Sequence, residues 1–325
     1  KIPIGSIQEK EIEKLTKLEN IIHQRVVNQE KAVKAIARAV RRNRVGISVH
    51  GKPIGSFLFL GPTGVGKTET AKALAESYYG SEKMMLRFDM GEYQGQDAVD
   101  RVLGSARSKE PGLLTKAIRQ NPFSLLLLDE IEKAHRDILN LFLTMLDEGY
   151  FTDAFGRKVD CRNLIIIGTS NAGTELIRQR LSGKHPGSGA TNQATLPRGE
   201  TKATQTFDYQ SLEKEVIDYI QRERIFSPEF INRFDATIIY QPLTQDHLYL
   251  IAELMLKRLN NRLKKKKISV KITPELLRRI VELGYNPALG ARPMNRVIQD
   301  KVEDQIAQMI LKGKTKKGQE VEVKI

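Results

Sequence analysis

The chain has 325 residues, 40% of them hydrophobic, which is enough for a sizeable core and about two domains and excludes a disordered polymer. Aliphatic runs such as Leu125–Leu128 and Leu164–Ile167 are far too short to cross a bilayer, and the opening KIPIGSIQEKE lacks the apolar stretch of a secretory signal. A formal net charge of +14 suits anionic ligands or partners, while the single cysteine, Cys161, excludes an internal disulfide and fits a reducing compartment, expected to be the cytoplasm.

The chain does not start with Met and is expected to be a piece of a longer protein. Residues Glu9–Gly46 read as helices, because QEKAVKAIARAVRRNR places Ala and Val at helical spacing opposite charges. Ser56–Leu60 is a short apolar run before a glycine, hence a buried strand. KTETAKALAESYYG reads as a helix closed by Gly80. MMLRFDM is a second strand, LLTKAIRQNP a helix stopped by Pro122, and SLLLLDE a third strand. The helix DILNLFLTMLDEG, the strand LIIIGTSN and the strand Thr237–Leu243 follow. Between about 181 and 210 the chain is rich in Gly, Ser, Thr and Pro without a core pattern, and is expected to be a mobile insertion. Beyond Pro242 come a long helix, TQDHLYLIAELMLKRLNNRLKKKK, a short strand, ISVKIT, two more helices and a final strand, EVEVKI. The lysines 264–267 read as a solvated helix end.

Wholly apolar strands alternating with helices predict an α/β fold: a parallel sheet flanked by helices, followed by a small α+β domain. The expected division is a helical segment at 1–48, a large α/β subdomain at 49–242 and a small subdomain at 243–325.

Gly61, Pro62, Thr63, Gly64, Val65, Gly66, Lys67 and Thr68 fit the pattern G-x-x-x-x-G-K-[ST], with a strand before and a helix after. Glycines let backbone N–H groups turn towards phosphates, and the helix N-terminus adds partial positive charge. Lys67 would reach the outer phosphates and the Thr68 hydroxyl a Mg²⁺ ion. LLLLDE carries Asp129 and Glu130 to a strand tip, one to hold the metal and one to polarise an attacking water. Asn171 ends the next strand, Arg233 follows a Pro-led helix and Arg292 begins a helix in the second domain. An arginine can stabilise charge on a transferred phosphoryl group, also from a neighbouring subunit.

With these motifs in this order, and with LDEIEKAH, TSNAGT, PEFINRFD and GARPMNR, the chain resembles the AAA+ superfamily, and within it the second ATPase module of the Clp unfoldases ClpB, ClpC and ClpA. The resemblance implies a ring, usually of six subunits, that hydrolyses ATP with Mg²⁺ and acts on polypeptides. It also implies that Val26 and Val27 meet the adenine. Asn171 and Arg292 would be sensors on the sheet and the small domain, and Arg233 a finger serving the next subunit.

Four departures from the family pattern stand out. Asn28 replaces a usual Gly, and Ser227 a usual Arg. No Leu/Ile-Gly-Phe/Leu tripeptide follows the fourth strand, so docking on a ClpP peptidase is not expected and a stand-alone remodelling role is. SARSKEPG stands where an aromatic pore motif is usual, which leaves Arg107, Lys109 and Glu110 as polar pore-loop candidates, while Tyr150, Phe151 and Phe155 either line a second pore loop or pack on the sheet edge. An AAA+ nucleic-acid remodeller is the alternative suggested by the charge, although no aromatic platform accompanies the basic residues. A non-catalytic nucleotide-binding platform conflicts with the intact Lys67, Asp129, Glu130 and Arg233.

Overall fold

In a computed structural model of the chain the described residues are 9–47, 51–105, 109–181, 209–286, 289–312, 319–323 and 325. Five strands build one parallel sheet: β1 (Gly55–Leu60), β2 (Met85–Asp89), β3 (Leu125–Asp129), β4 (Ile165–Ser170) and β5 (Ala236–Ile239). Their order across the sheet is β2-β3-β4-β1-β5. Side chains alternate between faces, and both faces are covered. Leu58, Leu60, Leu126, Leu128 and Ile166 join one core, with the helices Leu113–Gln120, Arg136–Glu148 and Tyr209–Arg222. Phe57, Phe59, Leu125, Leu127, Ile165 and Ile167 join the other, with the helices Glu30–Arg44 and Lys67–Tyr79. A third core, from Leu248 to Val323, lies within the C-terminal segment and buries Leu256, Ile280, Met294 and Val302.

The strands are shorter than their apolar runs suggest. The expected strand at Thr237–Leu243 occupies Ala236–Ile239, since Pro242 has no N–H to continue a ladder. ISVKIT and EVEVKI contribute Ser269–Val270 and Glu320–Val321, which pair in parallel, while Thr273 is used instead to cap the helix Pro274–Gly284. The expected helical stretch Glu9–Gly46 is three helices, Glu9–Thr16, Leu18–His23 and Glu30–Arg44. It breaks at Asn28 and Gln29, both at positive φ (63° and 66°). Asn tolerates that left-handed conformation better than most side chains, so Asn28 serves where glycine is usual.

The 181–210 insertion lies almost wholly outside the described residues, but its edges correct the sequence reading: Leu181 closes the helix Thr174–Leu181, and Tyr209 and Gln210 open the helix Tyr209–Arg222. Neither of these two helices, nor the short helix Ala98–Leu103, is visible in the apolar pattern alone.

Two antiparallel ribbons project from the large subdomain. The first pairs Gly104–Ser105 with Glu110–Pro111, the second Tyr150–Thr152 with Lys158–Asp160. The glycines of LGSARSKEPGLL are explained by the first: Gly104 has φ 102°, and a Cβ on Gly112 would sit 2.1 Å from the Val102 carbonyl oxygen. The described ends of the segment are thus paired with each other.

Candidate functional site

The tips of β1, β3 and β4 are neighbours, and the chemistry-bearing residues leave the sheet there. Gly61, Gly64 and Gly66 adopt φ of 137°, 77° and 108°, which lets the phosphate loop curl before the helix Lys67–Tyr79 begins. Lys67 is buried beneath that loop. Its Nζ donates to the carbonyl oxygens of Gly61 and Pro62, the latter at 3.0 Å, and to Asn171 Oδ1 at 3.0 Å. Burial lowers its pKa to about 8; the carboxylates of Glu132, Asp129 and Glu130 oppose that shift and Arg292 adds to it.

Asp129 ends β3 beside Asp89 of β2. One of its oxygens accepts the Thr169 hydroxyl, and the other accepts Arg87 Nη2 at 2.6 Å. Glu130 sits at φ 53° and its N–H donates to Thr169 Oγ1 at 3.3 Å. Its carboxylate meets Lys133 Nζ at 2.5 Å. Asn171 is held from behind, its N–H donating to Glu132 Oε1 at 3.0 Å, and Thr63 donates to its Oδ1 at 3.3 Å.

These groups line one cavity of about 840 Å³ with Val26, Val27, Thr68 and Arg292. Of the expected nucleotide-site residues, Val26, Val27, Thr63–Thr68, Asp129, Glu130, Asn171 and Arg292 line it together, and Gly61 and Pro62 touch it through Lys67. The C-terminal segment closes it: the Ala291 N–H donates to the Gly64 carbonyl at 3.3 Å, and a Cβ on Gly64 would lie 2.0 Å from the Leu289 carbonyl oxygen. Next to the adenine candidates, Gln29 bridges the subdomain, its amide donating to Val65 O and Gln241 O and accepting Gln241 N–H.

The residues fit a nucleotide with its metal. A loop of positive-φ glycines opens onto a buried ammonium, the Thr68 hydroxyl lies in the first turn of the helix, the Asp129 carboxylate lines the same cavity, and nothing lies within 4 Å of where a Gly66 Cβ would be.

Arg233 is not in this cavity. It lies at the end of the helix Pro228–Asn232 and pairs with Asp147 at 2.7 Å and Glu229 at 3.2 Å. Ser227, which stands where the family usually has Arg, caps that helix by accepting the Phe230 N–H at 3.1 Å. Among the pore-loop candidates, Arg107 lies outside the described residues; Lys109 (φ 59°) and Glu110 are exposed at the first ribbon. In the second ribbon Tyr150 lies under Lys158 Nζ at 4.0 Å, and Phe155, 36% exposed, lies under the Arg157 guanidinium at 4.7 Å. Phe151 is fully buried and belongs to the core, not to any binding surface. Asp153 anchors this ribbon, pairing with Arg119 at 3.0 Å and Arg157 at 3.0 Å. Cys161 is buried and its thiol is pushed up to about 12 by burial and by Asp160, as an inert core residue.

The apolar pattern gave no sign of Arg25, Glu69, Arg87, Glu132 or Arg258. Only Glu132 had a local cue, as the second acid of LDEIEKAH.

The chain is similar to known proteins along nearly its whole length. Residues 52–237 match the AAA domain (Cdc48 subfamily), and residues 243–323 match the C-terminal, D2-small domain of ClpB protein. Chaperone protein ClpB of Vibrio vulnificus is 42% identical over 316 residues, 96% of this chain and 34% of that protein. The ATP-dependent Clp protease ATP-binding subunit ClpC of Staphylococcus saprophyticus is 42% identical over 327 residues, 99% of this chain and 38% of that protein. The Saccharomyces cerevisiae Hsp104-ADP complex superposes with a TM-score of 0.82 at 34% identity, covering 100% of this chain and 53% of that one. The chain spans about a third of the length of these curated relatives. It belongs to the AAA domain (Cdc48 subfamily) family, and its two matched segments are those of a Clp-type second ATPase module.

Proposed function

We propose that this chain is the second ATPase module of a ring-forming Clp-type machine, probed best as an ATPase that drives unfolding, disaggregation or other remodelling of polypeptides. The observation that carries the reading is the convergence of Lys67, Asp129, Glu130 and Asn171 on one cavity at adjacent strand tips. In it, Lys67 would exchange its carbonyl partners for phosphate oxygens, which relieves the burial of an uncompensated charge. Thr68 and Asp129 would hold Mg²⁺, which when bound supplies neutralising charge for the phosphates. Glu130, steadied by Lys133, would take a proton from the attacking water. Asn171 would position that water, and Arg292 would contact the phosphates from the C-terminal segment.

Arg233 stands outside the cavity, tied to Asp147 and Glu229. That placement suits a finger offered to a neighbouring subunit's ATP in a ring, which family resemblance puts at six subunits. The polypeptide would be met by the two ribbons, through Lys109, Glu110, Tyr150 and Phe155. The cytoplasm is the proposed compartment, and docking on ClpP is left out for want of the tripeptide. Among the described residues no helix is long and apolar enough to cross a membrane.

The test uses the full-length parent. ATP should drive loss of structure in a tagged folded protein, and casein but not single-stranded DNA should raise ATP turnover. Glu130→Gln should keep nucleotide binding and lose at least about 100-fold in turnover. Hydrolysis with no effect on any protein substrate would sink the reading, and stimulation by DNA alone would favour the nucleic-acid alternative.

A further inference from the structure

Glu69 directly follows Thr68 and, with Arg25 and Arg258, lines the wall of the same cavity, but the proposed ATPase chemistry gives it no phosphate- or metal-binding role. Yet one of its oxygens, Oε1, is shared by two guanidinium groups. Arg25 donates to it through Nε at 3.1 Å and Nη2 at 2.7 Å, and Arg258 donates through Nη2 at 2.6 Å. The three residues come from separate parts of the molecule. Arg25 immediately precedes the adenine candidates Val26 and Val27. Glu69 is in the first turns of the phosphate-loop helix. Arg258 lies on the long helix Gln245–Leu263 of the C-terminal segment.

The bonding is asymmetric. Arg25 is half-buried and also holds Glu76 and, at 2.5 Å, Glu82, so it stays in place without Glu69. Arg258 has Glu69 as its one carboxylate partner among the described residues. Two like charges within hydrogen-bond distance of one oxygen repel unless that oxygen carries negative charge. Without that charge, Arg258, which has no second carboxylate to hold it, is the member free to leave. Its helix packs in the same core as Met294, two residues from Arg292.

We propose that Glu69 is a positioning residue: through Arg258 it fixes how the C-terminal segment sits over the phosphate loop, and so how closely Arg292 approaches the nucleotide. This deepens the ATPase reading and rests on it. Glu69 and Arg258 act as one unit, while Arg25 supplies the fixed wall against which that unit is set.

The experiment is a double-mutant cycle on ADP affinity, read with a fluorescent ADP analogue at low and at high salt. Glu69→Gln and Arg258→Gln should each weaken binding about 5-fold at low salt, and less at high salt. The double variant should be no weaker than either single one, and Arg258→Lys should recover most of the loss. Arg258 is largely exposed, so its variants test the idea even where Glu69→Gln folds poorly. Single effects that add, or a Glu69→Gln variant that binds ADP like wild type, would overturn the proposal. Failure of the wild-type chain to bind ADP at all would instead overturn the ATPase reading beneath it.

Discussion

Lys67 is a buried cation that makes no direct ion pair among the described residues, and this should be measurable as a pH-dependent loss of stability. Burial lowers its pKa from 10.5 to about 8, against the pull of Glu132, Asp129 and Glu130 and with the push of Arg292. Between those two values the unfolded chain binds the proton more tightly than the folded one, so stability rises with pH across that window. At about 1.4 kcal/mol per unit, the folded state loses ~3 kcal/mol near pH 7 and recovers ~2 kcal/mol of it by pH 9.5. Other lysines and tyrosines also titrate there, so the quantity to measure is the difference between wild type and Lys67→Met. Urea unfolding should be followed by far-ultraviolet circular dichroism, since the chain has no tryptophan. The difference should shift by ~2 kcal/mol in favour of wild type from pH 7 to pH 9.5. Saturating ADP should abolish the slope, because phosphate favours the charged lysine. A difference that stays flat over this range in the absence of nucleotide refutes the account of Lys67 as an uncompensated buried charge.

Four substitutions probe the rest of the architecture. Gly64→Ala places a methyl group 2.0 Å from the Leu289 carbonyl oxygen at φ 77°, so the C-terminal segment must shift; ADP affinity measured by calorimetry should fall by about 10-fold or more. Phe151→Ala should lower unfolding free energy by about 3–5 kcal/mol, whereas the half-exposed Phe155→Ala should change it by less than about 1 kcal/mol and instead reduce casein stimulation of ATP turnover. Asp153→Asn keeps the size but removes the charge facing Arg119 and Arg157, and should cost about 2 kcal/mol by urea unfolding at pH 7.

The parts legible in the sequence are those whose physics is local. Leu125–Leu128 and Ile165–Ile167 announce buried strands because a two-sided parallel sheet tolerates no polar residue there. The phosphate loop announces itself because its glycines, Lys67 and Thr68 fall within eight consecutive residues. The helix Tyr209–Arg222 escaped notice because a Gly/Ser/Thr-rich stretch leads into it, and its buried residues Leu212, Val216 and Ile220 are spread among charges. The ribbons escaped because strands of two or three residues have no period to read. Their glycines and Asp153 make sense only once the neighbouring backbone is in place.

The site residues are of two kinds. Lys67, Thr68, Asp129, Glu130 and Asn171 each stand at the end of a recognisable strand or turn, so the roles proposed for them can be read from sequence position. Arg25, Glu69 and Arg258 are ordinary surface charges in sequence, and Arg258 is 189 residues from its partner. What makes them a unit is the folding of the C-terminal segment over the phosphate loop, where Gly64 is packed too closely to carry a side chain. A chain that hydrolysed ATP with a rigid pocket would need the first group alone. Work on another molecule requires that occupancy of the pocket alter the attitude of a second body. Among the described residues, contacts placed to transmit such a change include Ala291 on Gly64 and Arg258 on Glu69, on the phosphate loop and the helix that follows it.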